Sequence, residues 1–130
     1  SLFYLSQAVA SGMQKRKWGR IIAFSMAKSD QLIAQPQLTA HYIAKVGVLV
    51  LIRSLAKILA PFGITANTIS PGFIDSGSAP KEELDNMLKN IPAGYVGSTT
   101  DAVGLIRFLL SQEARYVTGA NILLSGGWGL

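Results

Sequence analysis

The chain has 130 residues, 49% of them hydrophobic, with no cysteine, one histidine and a formal charge of +5 from 12 Lys and Arg against 7 Asp and Glu. That length supports a single modest core, and the composition argues against disorder. Without cysteine there is neither a disulfide framework nor a thiolate metal site, which fits a reducing cytoplasm, and one imidazole rules out a histidine-rich metal centre.

Residues 2–14 place Leu2, Leu5, Val9 and Met13 at helical spacing, broadened by Phe3, Tyr4, Ala8 and Ala10, so an amphipathic helix is predicted, broken by Trp18-Gly19. Lys15-Arg16-Lys17 with Arg20 forms the densest basic run. It lies where that helix should end, where cations complement the dipole and stay in water. With Trp18 its only aromatic, it does not read as a nucleic-acid surface. Ile21 to Phe24 reads as a short strand buried on both faces. Ser25 to Leu38 lacks a period and holds Pro36, predicting a loop across the carboxyl end of a sheet, where open α/β sheets bind ligands.

A long helix follows from about Ala40 to Ala60, ended by Pro61 and Gly63. It is apolar on more than one side, which predicts burial against the sheet and against another subunit. Its longest apolar run, Val46 to Ile52, is too short to span a membrane. Ile64 to Ile69 is a second strand, closed by a Pro71-Gly72 turn. Pro80 to Leu88 has an amphipathic helix pattern with acids in its first turn. Ser98-Thr99-Thr100-Asp101 fits a capping box that introduces a helix from Thr99 to about Leu110. Asn121 to Leu124 is a third strand, followed by Ser125-Gly126-Gly127-Trp128-Gly129. Alternating strands and helices predict an α/β fold with a parallel sheet in one domain, 1–130. The chain opens mid-pattern with neither a basic leader nor an initiator methionine, as expected of a fragment.

Tyr42 and Lys45 are three residues apart at the head of the long helix and share a face. A phenol is a poor acid at neutral pH, and a neighbouring cation brings it into working range. Such pairs also arise by chance, and the surroundings must decide. The stretch Thr39 to Gly72 combines this pair with Gly63-Ile64-Thr65-Ala66-Asn67-Thr68-Ile69-Ser70-Pro71-Gly72. Together with Gly19 to Ile22, Val117-Thr118-Gly119 and Gly126-Gly127, it resembles the short-chain dehydrogenase/reductase family, and members similar to 3-oxoacyl-carrier-protein and pteridine reductases in particular.

The resemblance implies the carboxyl-terminal part of a Rossmann-like doubly wound parallel sheet, with three strands and three to four helices. The amino-terminal nucleotide-binding strands would be lacking, and no Gly-rich turn opens a helix here. It further implies an NAD(P)-dependent oxidoreductase in which a Tyr protonates a substrate carbonyl as hydride arrives. A Lys lowers the Tyr pKa and bonds the cofactor ribose, and a Ser holds the carbonyl.

Two positions depart from that pattern. Four residues before Lys45, where the family places its Tyr, stands His41, and Tyr42 comes one later. Spacings of three and four straddle one helical face, so either side chain is a candidate acid, while an exposed helix-start residue is the plain reading of His41. Counted from Gly19, the Ser position falls on Met26, which leaves Ser25 as the best candidate, with Ser29 further on; a polar residue capping a loop explains Ser25 equally well. Pro71, Gly72, Phe73 and Ile74 resemble the segment along the nicotinamide, and Ser76 stands where a Thr often contacts the cofactor; an ordinary turn also accounts for them. Asn67 reads as structural. The implied cofactor is NADP, or NAD. The implied partners are a small carbonyl or alcohol substrate and further copies in a homodimer or homotetramer through helices 40–60 and 2–15, in the cytoplasm, with no nucleic acid and no membrane. The alternative is a truncated or degenerate, non-catalytic assembly protein of the same fold.

Overall fold

The computed structural model describes residues 2–130. Helix α1 (Leu2–Arg16) leads into β1 (Gly19–Phe24), α2 (Thr39–Leu59) and β2 (Ile64–Pro71). Short β3 (Ile74–Asp75), α3 (Lys81–Leu88), β4 (Gly97–Ser98), α4 (Thr99–Leu110) and β5 (Asn121–Leu124) follow. β1, β2 and β5 form a parallel sheet in that order, with Gly19 opposite Ile64 and Thr68 opposite Asn121. The α/β architecture and all three main strands agree with the sequence pattern. The parallel pairing of β3 with β4 was not anticipated, because two-residue strands carry no period.

β2 is the middle strand, and residues 64–70 are all buried. Several of them are polar, so each must find a partner. Asn67 donates to the Val117 carbonyl at 2.8 Å and accepts from the Ala120 amide at 3.1 Å. Ser70 donates to the Asn121 side-chain oxygen at 2.6 Å. These bonds stitch β2 to the approach of β5, which is the structural role expected of Asn67.

One sheet face carries the apolar core of Ile21, Ala23, Ile64 and Ala66 beneath Ile52, Ala56 and Leu59 of α2. α1 reaches that core along a Leu2, Ser6, Ala10, Met13 row whose small middle residues permit close approach. The expected stripe is therefore corrected. Leu5 and Val9 are exposed along with Phe3 and Tyr4, and the buried residue of α1 is Ser6. Periodicity locates apolar content on a helix but not the row that fits a neighbour.

β1 is also corrected, since its residues alternate between buried and half-buried and Phe24 is exposed. Arg20, the last cation of the basic run, does not extend into water. It donates to the carbonyls of Gly19, Gly63 and Ser111 and lies 5.3 Å from the Trp18 ring centre. α1 ends at Arg16, two residues before Trp18: Trp18 N–H bonds Met13 O, Lys17 N–H bonds Gln14 O, and Lys17 takes a left-handed φ of 52°. α2 runs into a 3-10 turn at Ala60–Phe62 and stops at Gly63, whose φ is 70°. A Cβ there would meet the Lys17 carbonyl oxygen at 2.7 Å, so only glycine suits both the backbone and the space.

α2 buries Tyr42, Leu49, Ile52, Ala56 and Leu59, while Ile43, Val50 and Ile58 are exposed on its outer side. α4 is capped by Ser98, as the capping box requires. The Asp101 carboxylate accepts from the Ser98 amide at 2.7 Å and from its hydroxyl at 2.8 Å. No helix among the described residues is long and apolar enough to cross a membrane.

Candidate active site

The head of α2 meets the carboxyl ends of β1 and β2, and most of the singled-out residues gather there. Past Phe24 the chain still follows β2, with Ser25 N–H bonded to Ile69 O and Ala27 N–H to Pro71 O, both at 2.9 Å. It then folds over the sheet end. Ser25 is buried beneath α2, its hydroxyl 2.8 Å from the Lys45 carbonyl and 3.0 Å from the Ser29 hydroxyl. Ser29, fully buried, donates to the Met26 carbonyl at 2.7 Å.

The Tyr42 ring is buried, and its hydroxyl lies within the loop. It donates to the Lys28 carbonyl at 2.9 Å and accepts from the Ile33 amide at 3.2 Å. The Lys45 ammonium donates to the Phe24 carbonyl at 3.1 Å, at the end of β1. Phenol and ammonium thus share a helix but bond separate stretches of main chain. His41, one residue earlier, is exposed.

Two loop residues inside the span held by Tyr42 have left-handed backbone: Lys28 (φ 69°) and Leu32 (φ 52°). For a residue with a Cβ that conformation costs about 1–2 kcal/mol, so tertiary contacts must hold it. Lys28 places its ammonium 4.5 Å from the Trp128 ring centre, and the Asn121 amide reaches Asp30 at 3.3 Å. Gln31 donates to the Gly129 carbonyl. This clasp between loop and tail was absent from the sequence reading, because no local pattern links residues so far apart in the chain.

On the far side, Gly72 N–H bonds the Leu124 carbonyl at 3.0 Å, and a Cβ on Gly72 would come within 2.8 Å of the Ser125 Cβ. The Phe73 ring lies 4.5 Å from Trp128 at a 47° tilt. Ile74 belongs to β3, and Ser76 is exposed with its hydroxyl 3.3 Å from that of Ser78. A cavity of about 130 Å³ opens behind this turn between Phe73, Tyr95, Asp101 and Ser125. The peptide N–H of Ser98, and then its hydroxyl, hold the Asp101 carboxyl below its ordinary value, which keeps a carboxylate in the wall.

The donor set suits one end of a nicotinamide cofactor. The Lys45 ammonium stands at the end of β1, and the main chain of the Pro71–Ile74 turn stands at the end of β2. Among the described residues no strand is followed by a glycine-rich turn opening a helix, so a diphosphate has no cradle here. No cluster of three metal-ligating side chains occurs among the described residues either.

A family model described as enoyl-(acyl carrier protein) reductase matches residues 1–129. The 3-oxoacyl-[acyl-carrier-protein] reductase of Haemophilus influenzae is 35% identical over 130 residues, covering 98% of this chain and 53% of the relative. Among solved structures, acetoin dehydrogenase from Salmonella typhimurium superposes with a TM-score of 0.83 at 29% identity, over 97% of this chain and 49% of that one. A gluconate 5-dehydrogenase from Burkholderia cenocepacia, in complex with NADP and tartrate, superposes with a TM-score of 0.85 at 27% identity, over 97% and 51%. The chain therefore spans about half the length of the curated relatives it matches.

Proposed function

Because this chain belongs to the short-chain dehydrogenase/reductase family, we propose that it serves an NAD(P)-dependent oxidoreductase of the carbonyl reductase or alcohol dehydrogenase type. One observation carries this reading: the head of α2 and the Pro71-Gly72 turn converge on the carboxyl ends of β1 and β2, the side on which open α/β sheets bind ligands.

In this reading Lys45 bonds the ribose of NADP or NAD and places its positive charge on the same helix face as the acid. That acid comes from the adjacent pair His41 and Tyr42, and it delivers the proton to the substrate carbonyl oxygen. The Ser25 hydroxyl, released from the Lys45 carbonyl, holds that oxygen; catalytic hydrogen bonds commonly tighten only in the loaded complex. Pro71, Gly72, Phe73, Ile74 and Ser76 line the cofactor. The bound nicotinamide supplies or takes the hydride. The 25–38 loop and the segment 76–93 shape the pocket for a small carbonyl or alcohol substrate.

The exposed outer faces of α2 (Ile43, Val50, Ile58) and α1 (Phe3, Tyr4, Leu5) support assembly into a homodimer or homotetramer. In the full-length protein, Lys45→Ala is expected to lower kcat/KM at least about 100-fold, with His41→Phe and Tyr42→Phe measured separately to locate the donor. Undiminished turnover in the Lys45 variant would refute the proposal.

A second reading, a non-catalytic assembly protein of the same fold, is favoured by one feature. The Tyr42 phenol, the Lys45 ammonium and the Ser25 hydroxyl are all bonded to main chain. A stable oligomer of the full-length protein with no affinity for NADPH or NADH would establish it.

A further inference from the structure

We propose that Tyr42 is a positioning residue, not the proton donor: its hydroxyl latches the Lys28–Ile33 loop in a strained backbone conformation that sets the wall of the site. The inference deepens the oxidoreductase reading and, in its enzymatic part, rests on it.

The Tyr42 hydroxyl has one proton, and that proton is directed to the Lys28 carbonyl; the oxygen accepts the Ile33 amide. One group thus grips both ends of the loop. Both left-handed residues, Lys28 and Leu32, lie between or at those grips. Leu32 is 73% exposed, so its own packing cannot hold it in that conformation. The latch sets the direction of Lys28, whose ammonium rests on Trp128, and Trp128 in turn packs on Phe73 of the Pro71–Ile74 turn. A continuous line of contacts therefore runs from the phenol through loop and tail to the segment assigned to the nicotinamide. The ring is buried at 8% exposure and its hydroxyl is committed to loop main chain on both sides, whereas the adjacent His41 is exposed.

Hydrogen exchange read by mass spectrometry on the full-length protein tests the latch without relying on turnover. Tyr42→Phe removes only the hydroxyl, and amides 28–33 are expected to exchange at least about 10-fold faster, with amides 64–70 unchanged as the check that the fold persists. Leu32→Asn, a residue that tolerates left-handed backbone, is expected to slow exchange of the same amides in the Tyr42→Phe background by at least about threefold. Unchanged exchange at 28–33 in Tyr42→Phe, or no rescue by Leu32→Asn, would overturn the latch.

In the enzymatic arm, Tyr42→Phe is expected to raise KM for a carbonyl substrate by a larger factor than it lowers kcat. Collapse of kcat at constant KM would make the phenol the donor and overturn the proposal. A loosened loop in a protein that reduces no carbonyl, with Lys45→Ala equally silent, would support the latch and refute the reductase reading.

Discussion

Gly72→Ala tests whether the turn beside the proposed cofactor wall is fixed by steric contact. The added Cβ would lie 2.8 Å from the Ser125 Cβ, 3.0 Å from the Ser125 Cα and 3.3 Å from the Trp128 ring. Carbon atoms settle at about 3.5–4.0 Å, so β2 and the tail must separate by the better part of an ångström. Main chain on both sides resists that movement, and overpacking of this kind costs about 1–3 kcal/mol. The same separation stretches the Gly72 N–H bond to Leu124 O, now 3.0 Å, which contributes about 0.5–1.5 kcal/mol. The sum is about 1.5–4.5 kcal/mol, read as a fall of about 1–2 M in the urea midpoint at an ordinary slope. Gly47→Ala is the control, since a Cβ there meets nothing within 4 Å on exposed helix, and a gain of about 0.5–1 kcal/mol is expected. Equal midpoints for Gly72→Ala and wild type would refute the steric reasoning.

Asn67→Ala should destabilise by about 1–3 kcal/mol for each group left unpaired, because the Val117 carbonyl and the Ala120 amide lose their buried partner; thermal or urea unfolding reads the loss. The Asp101 carboxyl is held below its ordinary 3.8 by Ser98, so its contribution is complete above the unfolded-state value and is lost as pH falls through the lower folded-state value. Asp101→Asn should accordingly be less stable than wild type at neutral pH, with the gap closing below about pH 4, and a gap independent of pH would contradict the assignment. Val50→Glu with Ile58→Glu, both on the exposed outer side of α2, should shift the protein toward monomer in sedimentation experiments if that face mediates assembly.

Chemical punctuation made several elements legible in the sequence. Ser98 and Asp101 announce α4, and its Thr99–Leu110 span coincides with the reading from sequence, as does β5 at Asn121–Leu124. Proline and glycine likewise marked the end of α2. Partner choice was not legible. The Leu5 and Val9 stripe turned outward because α1 docks through smaller residues, and Arg20 turned inward to three carbonyls. The candidate site shows the same division. Spacing placed Tyr42 and Lys45 on one helix, but a loop carbonyl takes the phenol and the carbonyl at the end of β1 takes the ammonium, and only the folded chain determines which bond forms.

The register of the main sheet also sets the order in which the molecule can be assembled. β1 reaches β2 only after the whole of α2 has been made, and β2 gains its other neighbour only when Asn121–Leu124 arrives. Pairings across such long excursions form slowly, because loop closure must precede any gain from contact. Until both neighbours have paired, the middle strand has an open flank, so refolding yield should fall as protein concentration rises.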